Sequence, residues 1–176
     1  MKTQLILFLT LAAVLLGRPA IAQSPVDSYT LGEGDVIGIQ VFDEPDLTMS
    51  ATIGASGSIN YSYLGDIQVA GKTAQELEQL LIELLRDGYL VSPSVNVSIE
   101  KFRLFYINGE VRSPGGYPYQ PGLTLDKAIA LAGGLTDRAS RRKMFVMSAE
   151  STERTRATLS TRIAPGDIIS INEGFF

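Results

Sequence analysis

The chain has 176 residues, with 19 acidic against 15 basic side chains, a formal charge of −4, no histidine and no cysteine. Those two absences remove Ser-His-Asp and Cys-His catalysis, His/Cys zinc sites, disulfides and an acylated N-terminal cysteine, while an enzyme could still use carboxylate pairs or a Ser-Lys dyad. The acidic balance works against binding nucleic acid and anionic lipid, both of which are held through clustered cations.

The N-terminus reads as an export signal. Lys2 supplies the positive start, residues 5–16 are an apolar run, and Arg18-Pro19 breaks it before Ala20-Ile21-Ala22. Small residues at both sites that a signal peptidase reads predict cleavage between Ala22 and Gln23. The apolar run is shorter than the ~20 residues of a membrane-spanning helix. Cleavage removes two basic side chains and leaves a more acidic mature chain. Residues 23–28 form a short polar leader.

From Tyr29 the pattern turns to folded structure. Gly32-Glu33-Gly34-Asp35 is a tight turn delivering a strand at Val36-Ile37-Gly38-Ile39-Gln40-Val41-Phe42. Glycines 54, 57 and 65 punctuate short strands around Ile53, Ile59 and Ile67. Thr73 and Glu76 have the spacing of a capping box. Ala74, Leu77, Leu80, Leu81, Leu84 and Leu85 then lie on one helical face, with Gly88 placed to end the helix. Residues 93–100 alternate, which predicts a strand with one buried face.

A second run of elements follows. Residues 105–111 read as a strand, and Pro114-Gly115 carries the signature of a turn. Tyr117 and Tyr119 alternate across the next strand. Thr124 caps a short helix bearing Leu125, Ala128, Ile129 and Ala132, which Gly133-Gly134 stops. Residues 144–147 form a strand, residues 148–161 an exposed hairpin or loop, and Pro165-Gly166-Asp167 opens the last strand. Gly34-Asp35-Val36-Ile37-Gly38-Ile39 is echoed by Gly166-Asp167-Ile168-Ile169-Ser170-Ile171. Strands mixed with two short helices point to α+β architecture in two small modules.

No constellation identifies a catalyst. Asp43, Glu44 and Asp46 are adjacent in sequence rather than opposed across a sugar, and they lack calcium-loop spacing, so they read as a solvated turn. Gly32-x-Gly34 leads into a strand, not a helix, and is a turn rather than a dinucleotide fingerprint. Arg141-Arg142-Lys143 reads as a solvated triplet. The seven tyrosines could stack on sugars, but strand packing explains most of them equally well.

Taken in order, these segments resemble the bacterial polysaccharide export outer-membrane protein family. Tyr29-Thr30-Leu31-Gly32-Glu33-Gly34-Asp35-Val36-Ile37, Gly57-Ser58-Ile59, Leu64-Gly65-Asp66-Ile67, Val69-Ala70-Gly71-Lys72-Thr73 and Tyr89 through Val95 are similar to its polysaccharide-export domain, here residues 29–101. Gly109-Glu110-Val111, Pro114-Gly115, Ala128-Ile129, Ala132-Gly133-Gly134 and Pro165-Gly166-Asp167 are similar to a soluble-ligand-binding β-grasp domain, here residues 102–176. The carried-over residues are the turn glycines and aspartates, and the resemblance implies no catalytic site and no cofactor.

It implies a non-enzymatic periplasmic subunit, associated with the outer membrane, that forms a homo-oligomeric ring. The ring would pass capsular or exopolysaccharide from an inner-membrane co-polymerase to an outer-membrane exit. Familiar members carry an acylated cysteine and a C-terminal outer-membrane helix; this sequence has no cysteine, and five residues follow Ile171. The expectation is transfer to a separate outer-membrane β-barrel, with Phe175 and Phe176 as either a docking tail or the end of a packed strand. The competing readings are a monomeric periplasmic carbohydrate-binding module and a polysaccharide-degrading enzyme.

Overall fold

The computed structural model describes residues 29–149 and 151–174. The signal segment with Ala22 and Gln23, the leader, and Phe175 and Phe176 lie outside the described residues. The architecture is α+β in two modules, each with its own hydrophobic core.

In the first module, β1 (Val36–Val41) is the central strand of a three-stranded antiparallel sheet. It pairs with β2 (Met49–Thr52) on one side and β5 (Val95–Lys101) on the other. A separate hairpin is formed by β3 (Ser58–Tyr61) and β4 (Gly65–Gln68). Alternation in β1 sends Ile37, Ile39 and Val41 inward, where they are buried with Ile59, Tyr61 and Val69.

Helix α1 (Ala74–Arg86) closes that core. The Thr73 hydroxyl accepts from the Glu76 amide at 3.2 Å, and the Glu76 carboxylate accepts from the Thr73 amide at 2.8 Å, so the capping box is complete. Leu77, Leu81 and Leu85 are fully buried at a spacing of four residues, and Ala74, Leu80 and Leu84 pack beside them. Each such leucine contributes roughly 1.5–3 kcal/mol by leaving water. Glu78, on the flank of the helix, accepts the Val97 amide of β5 at 2.8 Å and ties helix to sheet.

The second module is a β-grasp. Its five strands are β6 (Leu104–Gly109), β7 (Gly115–Pro118), β8 (Ala139–Met147), β9 (Arg154–Arg156) and β10 (Ile168–Glu173), arranged β7-β6-β10-β8-β9. The last strand inserts at the centre, parallel to β6 and antiparallel to β8. Helix α2 (Leu125–Leu131) lays Leu125, Ala128 and Ile129 against the buried face. Phe105, Ile107, Met144, Ile169 and Ile171 fill the core beneath it.

Three local expectations differ from the structure. Thr124 stands at the N-cap of α2, but its side chain makes no capping bond. The first amides of the helix, from Leu125 and Asp126, donate instead to the carbonyls of Thr161 and Leu159, so a neighbouring loop satisfies them. Gly115 is not a turn residue: it opens β7 opposite Ile107, and the left-handed backbone position in this connection is Gly109. Finally, β8 begins at Ala139, so Arg141, Arg142 and Lys143 lie in a strand.

Candidate functional site

The most concentrated polar structure lies where the two modules meet. Asp35, in the turn before β1, is fully buried, and Asp167, in the turn before β10, is nearly so; they are the buried charged residues among those described. The sequence echo therefore brings a buried aspartate from each module to the same joint. Between them stands Arg103, in the two-residue connection between β5 and β6.

Asp35 accepts four hydrogen bonds. They come from the Tyr29 hydroxyl at 2.6 Å, the Gly32 amide at 2.8 Å, the Arg103 amide at 2.7 Å and Arg103 Nη1 at 3.2 Å. Three of them fall on Oδ2 and one on Oδ1, so the carboxylate is held by donors from the connection between the modules and from the turn itself. Arg103 Nε donates to the Pro165 carbonyl at 3.2 Å, and Asp167 accepts the Ala164 amide at 2.8 Å. One guanidinium thus bonds the turn of the first module and the turn of the second.

Aromatic rings complete the joint. Phe102 packs edge-on against Tyr29 at 5.0 Å and against Tyr119 at 5.3 Å, linking a residue of each module. The guanidinium carbon of Arg103 lies 5.6 Å from the centre of the Tyr29 ring. Burial pushes the Tyr29 phenol well above its ordinary value, and its bond to Asp35 adds to the shift. Burial also raises Tyr119 and holds the Asp167 carboxyl above the usual carboxylate range.

A side chain at the glycine on either side would displace the guanidinium from its present position. A Cβ at Gly32 would collide with Arg103 Nη1, and one at Gly166 would stand 3.2 Å from Arg103 Nε and 2.8 Å from the Ala149 Cβ. Gly34 and Gly166 have φ of 87° and 86°, the left-handed conformation that lets each turn deliver its aspartate. Beside the joint lies a cleft of about 370 Å³, lined by Tyr29, Arg103, Tyr119, Ser148 and Asp167. An open groove of about 620 Å³ runs on the α1 side, past Glu78, Ile99, Phe102 and Pro121.

The other sequence-derived residues are dispersed. Gly57 and Gly65 occupy left-handed positions around the β3–β4 hairpin, Gly109 is the last residue of β6, Gly133 and Gly134 end α2, and Pro114 lies in the loop before β7. Asp43, Glu44 and Asp46 form the turn after β1. Tyr61 donates its hydroxyl to the Leu47 carbonyl at 2.7 Å inside the first core, and Tyr117 donates to the Ser113 carbonyl. Tyr63 and Tyr89 stand exposed at a remote tip.

Sequence reasoning singled out Gly34-Asp35 and Gly166-Asp167 but missed Arg103 and the role of Tyr29. A signal was present: two aspartates delivered by near-identical turns into apolar strands need a cation, since a buried unpaired carboxylate is costly. Chemically, the site is a joint. Its carboxylate accepts four hydrogen bonds from protein donors, and among the described residues no group of three or more His, Cys, Asp or Glu could hold a metal ion. No helix among them is long and apolar enough to cross a membrane.

Comparison with known proteins agrees with the two-module division of the cores. Residues 23–100 match the family described as polysaccharide biosynthesis/export protein, and residues 104–156 match the SLBB domain. The chain is 34% identical over 137 residues to the exopolysaccharide production protein ExoF of Rhizobium meliloti (strain 1021), covering 71% of this chain and 32% of that protein. It is 29% identical over 172 residues to the EPS I polysaccharide export outer membrane protein EpsA of Ralstonia nicotianae, covering 80% and 44%. It is 26% identical over 164 residues to the polysialic acid transport protein KpsD of Escherichia coli, covering 90% and 28%. The aligned chain spans less than half the length of each of these relatives. With both modules matched in sequence order, the chain belongs to the polysaccharide export protein family.

Proposed function

We propose that this chain is a non-catalytic periplasmic subunit of a polysaccharide export channel, working in a ring of copies around the polymer. In this reading an inner-membrane co-polymerase delivers capsular or exopolysaccharide, and the ring passes it to an exit in the outer membrane. Signal cleavage between Ala22 and Gln23 and a division of the modules at residues 101/102 belong to the same reading. The single observation that carries it is the family's two modules in order, joined at a buried, hydrogen-bonded ion pair rather than at a reactive centre. A joint of this kind suits a rigid building block, because it fixes the angle between two units without contributing chemistry.

Deleting the gene tests the reading. Polymer should accumulate in the periplasm while synthesis continues, and a plasmid copy should restore its release. Normal release from the deletion strain would refute an export role. Shortening of the polymer by the purified chain would favour a degrading enzyme instead.

A further inference from the structure

Three strands of the second module are written for burial on both faces. β6 carries Leu104-Phe105-Tyr106-Ile107, β8 carries Met144-Phe145-Val146-Met147, and β10 opens with Ile168-Ile169. A strand with one wet face alternates apolar and polar residues, whereas continuous apolar runs belong to sheets covered twice. Half of each run is explained: Phe105, Ile107, Met144 and Ile169 are buried in the core under α2. The other half is only partly covered by the described residues.

Leu104 and Tyr106 are 42% and 49% exposed, and Phe145, Met147 and Ile168 are half-buried. Strand register sets Tyr106 beside Ile168 and Ile168 beside Met147, making one apolar row across the outer face. Opposite Gly116 in β7, the Tyr106 ring lies close over the bare backbone. The rim is cationic. Arg154 lies over the Phe145 ring at 4.9 Å, and Arg156 pairs opposite Phe145 in register.

The first module holds a surface of the opposite character. Directly after β1, Phe42 is 54% exposed and is followed by Asp43, Glu44 and Asp46. Asp43 has φ of 62°, a left-handed conformation that aspartate adopts more readily than most residues and that shapes the turn. One hydroxyl braces this knuckle: Thr48 Oγ1 accepts the Val41 amide at 3.0 Å and contacts the carbonyl oxygens of Val41 and Glu44 at 3.3 Å. The turn therefore leaves a large ring exposed in a segment that carries three acidic residues.

We propose that the Phe42 knuckle of one copy seats on this outer sheet face of the next. An exposed ring in an acidic segment complements an apolar row rimmed by two arginines, and such complementarity selects partner and register. Knuckle and face are different patches on different modules, so the contact is head-to-tail and closes into a ring when the rotation per copy divides the circle. This rests on the export-channel reading and names the surfaces that build its ring.

The absence of cysteine makes the test clean. In the full chain expressed in its own periplasm, Phe42→Cys combined with Tyr106→Cys should give, on mild oxidation, a ladder of disulfide-linked oligomers that neither single variant gives. Arg154→Glu with Arg156→Glu should reduce the ladder by about tenfold, and adding Glu44→Lys and Asp46→Lys should restore it. A missing ladder, or charge reversal without effect, overturns the contact, as does a disulfide from Tyr106→Cys to a cysteine of a different protein, which would identify another occupant of the face. Loss of export on deletion together with no ladder removes the interface and leaves the export reading intact. A ladder together with normal export does the reverse.

Discussion

Asp35 and Arg103 meet through two separate hydrogen bonds, one from the arginine's backbone amide at 2.7 Å and one from its Nη1 at 3.2 Å. The backbone bond fixes where the connection between the modules leaves the first sheet. The side-chain bond aims the guanidinium so that its Nε reaches Pro165 of the second module. Position and direction of the inter-module link are therefore set by one residue on each side.

Removing either partner should be expensive. Asp35→Ala leaves a guanidinium and the Tyr29 hydroxyl without their acceptor, and breaking one side of a buried pair costs about 3–5 kcal/mol. Arg103 retains 19% exposure of its side chain, which places the loss toward the lower end. In urea unfolding, Asp35→Ala and Arg103→Ala should each lower the midpoint, and the double variant should lose less than their sum. Strictly additive losses would show that the two side chains do not act together.

Tyr29 offers a subtler probe. Tyr29→Phe keeps the ring against Phe102 but removes the donor to Asp35, and hydrogen bonds to charged groups contribute about 1.5–3 kcal/mol. The phenol's pKa is raised on folding. Its contribution is therefore present below the ordinary value of 10.0 and is lost as pH rises beyond it. The wild-type chain should lose stability above pH 10 relative to Tyr29→Phe, as read by denaturation across an alkaline series. Parallel curves would contradict the bond's role.

Asp167 should show the opposite sensitivity to the usual aspartate. Burial raises its carboxyl above the ordinary value of 3.8, so folding increases its affinity for a proton. The resulting stability is full below that value and is lost as pH rises through the folded pKa. Asp167→Asn keeps an oxygen for the Ala164 amide and removes the charge. Its stability relative to wild type should be more favourable at pH 7 than at pH 3. A difference independent of pH would show that the site does not perturb this carboxyl.

Two glycines separate strain from collision. Gly109 and Gly134 have φ of 84° and 93°, but only a Cβ at Gly109 would run into backbone, the Ile171 carbonyl of the central strand. Gly134→Ala should cost about 1 kcal/mol from the left-handed backbone alone. Gly109→Ala should cost several times more, because β10 must move. Thermal unfolding of the two variants compares them directly, and equal losses would count against this account of the β6–β10 contact.

Much of the fold was legible where local chemistry decides it. Thr73 and Glu76 mark the start of α1 because a capping box is a short-range device, and the leucine spacing marks its buried face. Gly34-Asp35 and Gly166-Asp167 were visible as an echo, yet their meeting was not. Arg103 lies 68 positions from Asp35 and 62 from Pro165, and no local pattern pairs residues so far apart. The same limit applies to Thr124, whose capping role passes to the distant Leu159 and Thr161 carbonyls. The apolar runs of β6, β8 and β10 were read as strands; that one face is only partly covered among the described residues follows from the helix lying on the other.

Release of polymer by a strain whose sole copy carries Arg103→Glu tests the central claim most directly, with chain level matched to wild type by immunoblot. That substitution sets a negative charge between Asp35 and Asp167 and severs the link between the modules. Release into the medium should fall several-fold while polymer collects in the periplasm. Wild-type release from that strain would contradict the view that the two modules must be held as one body for export.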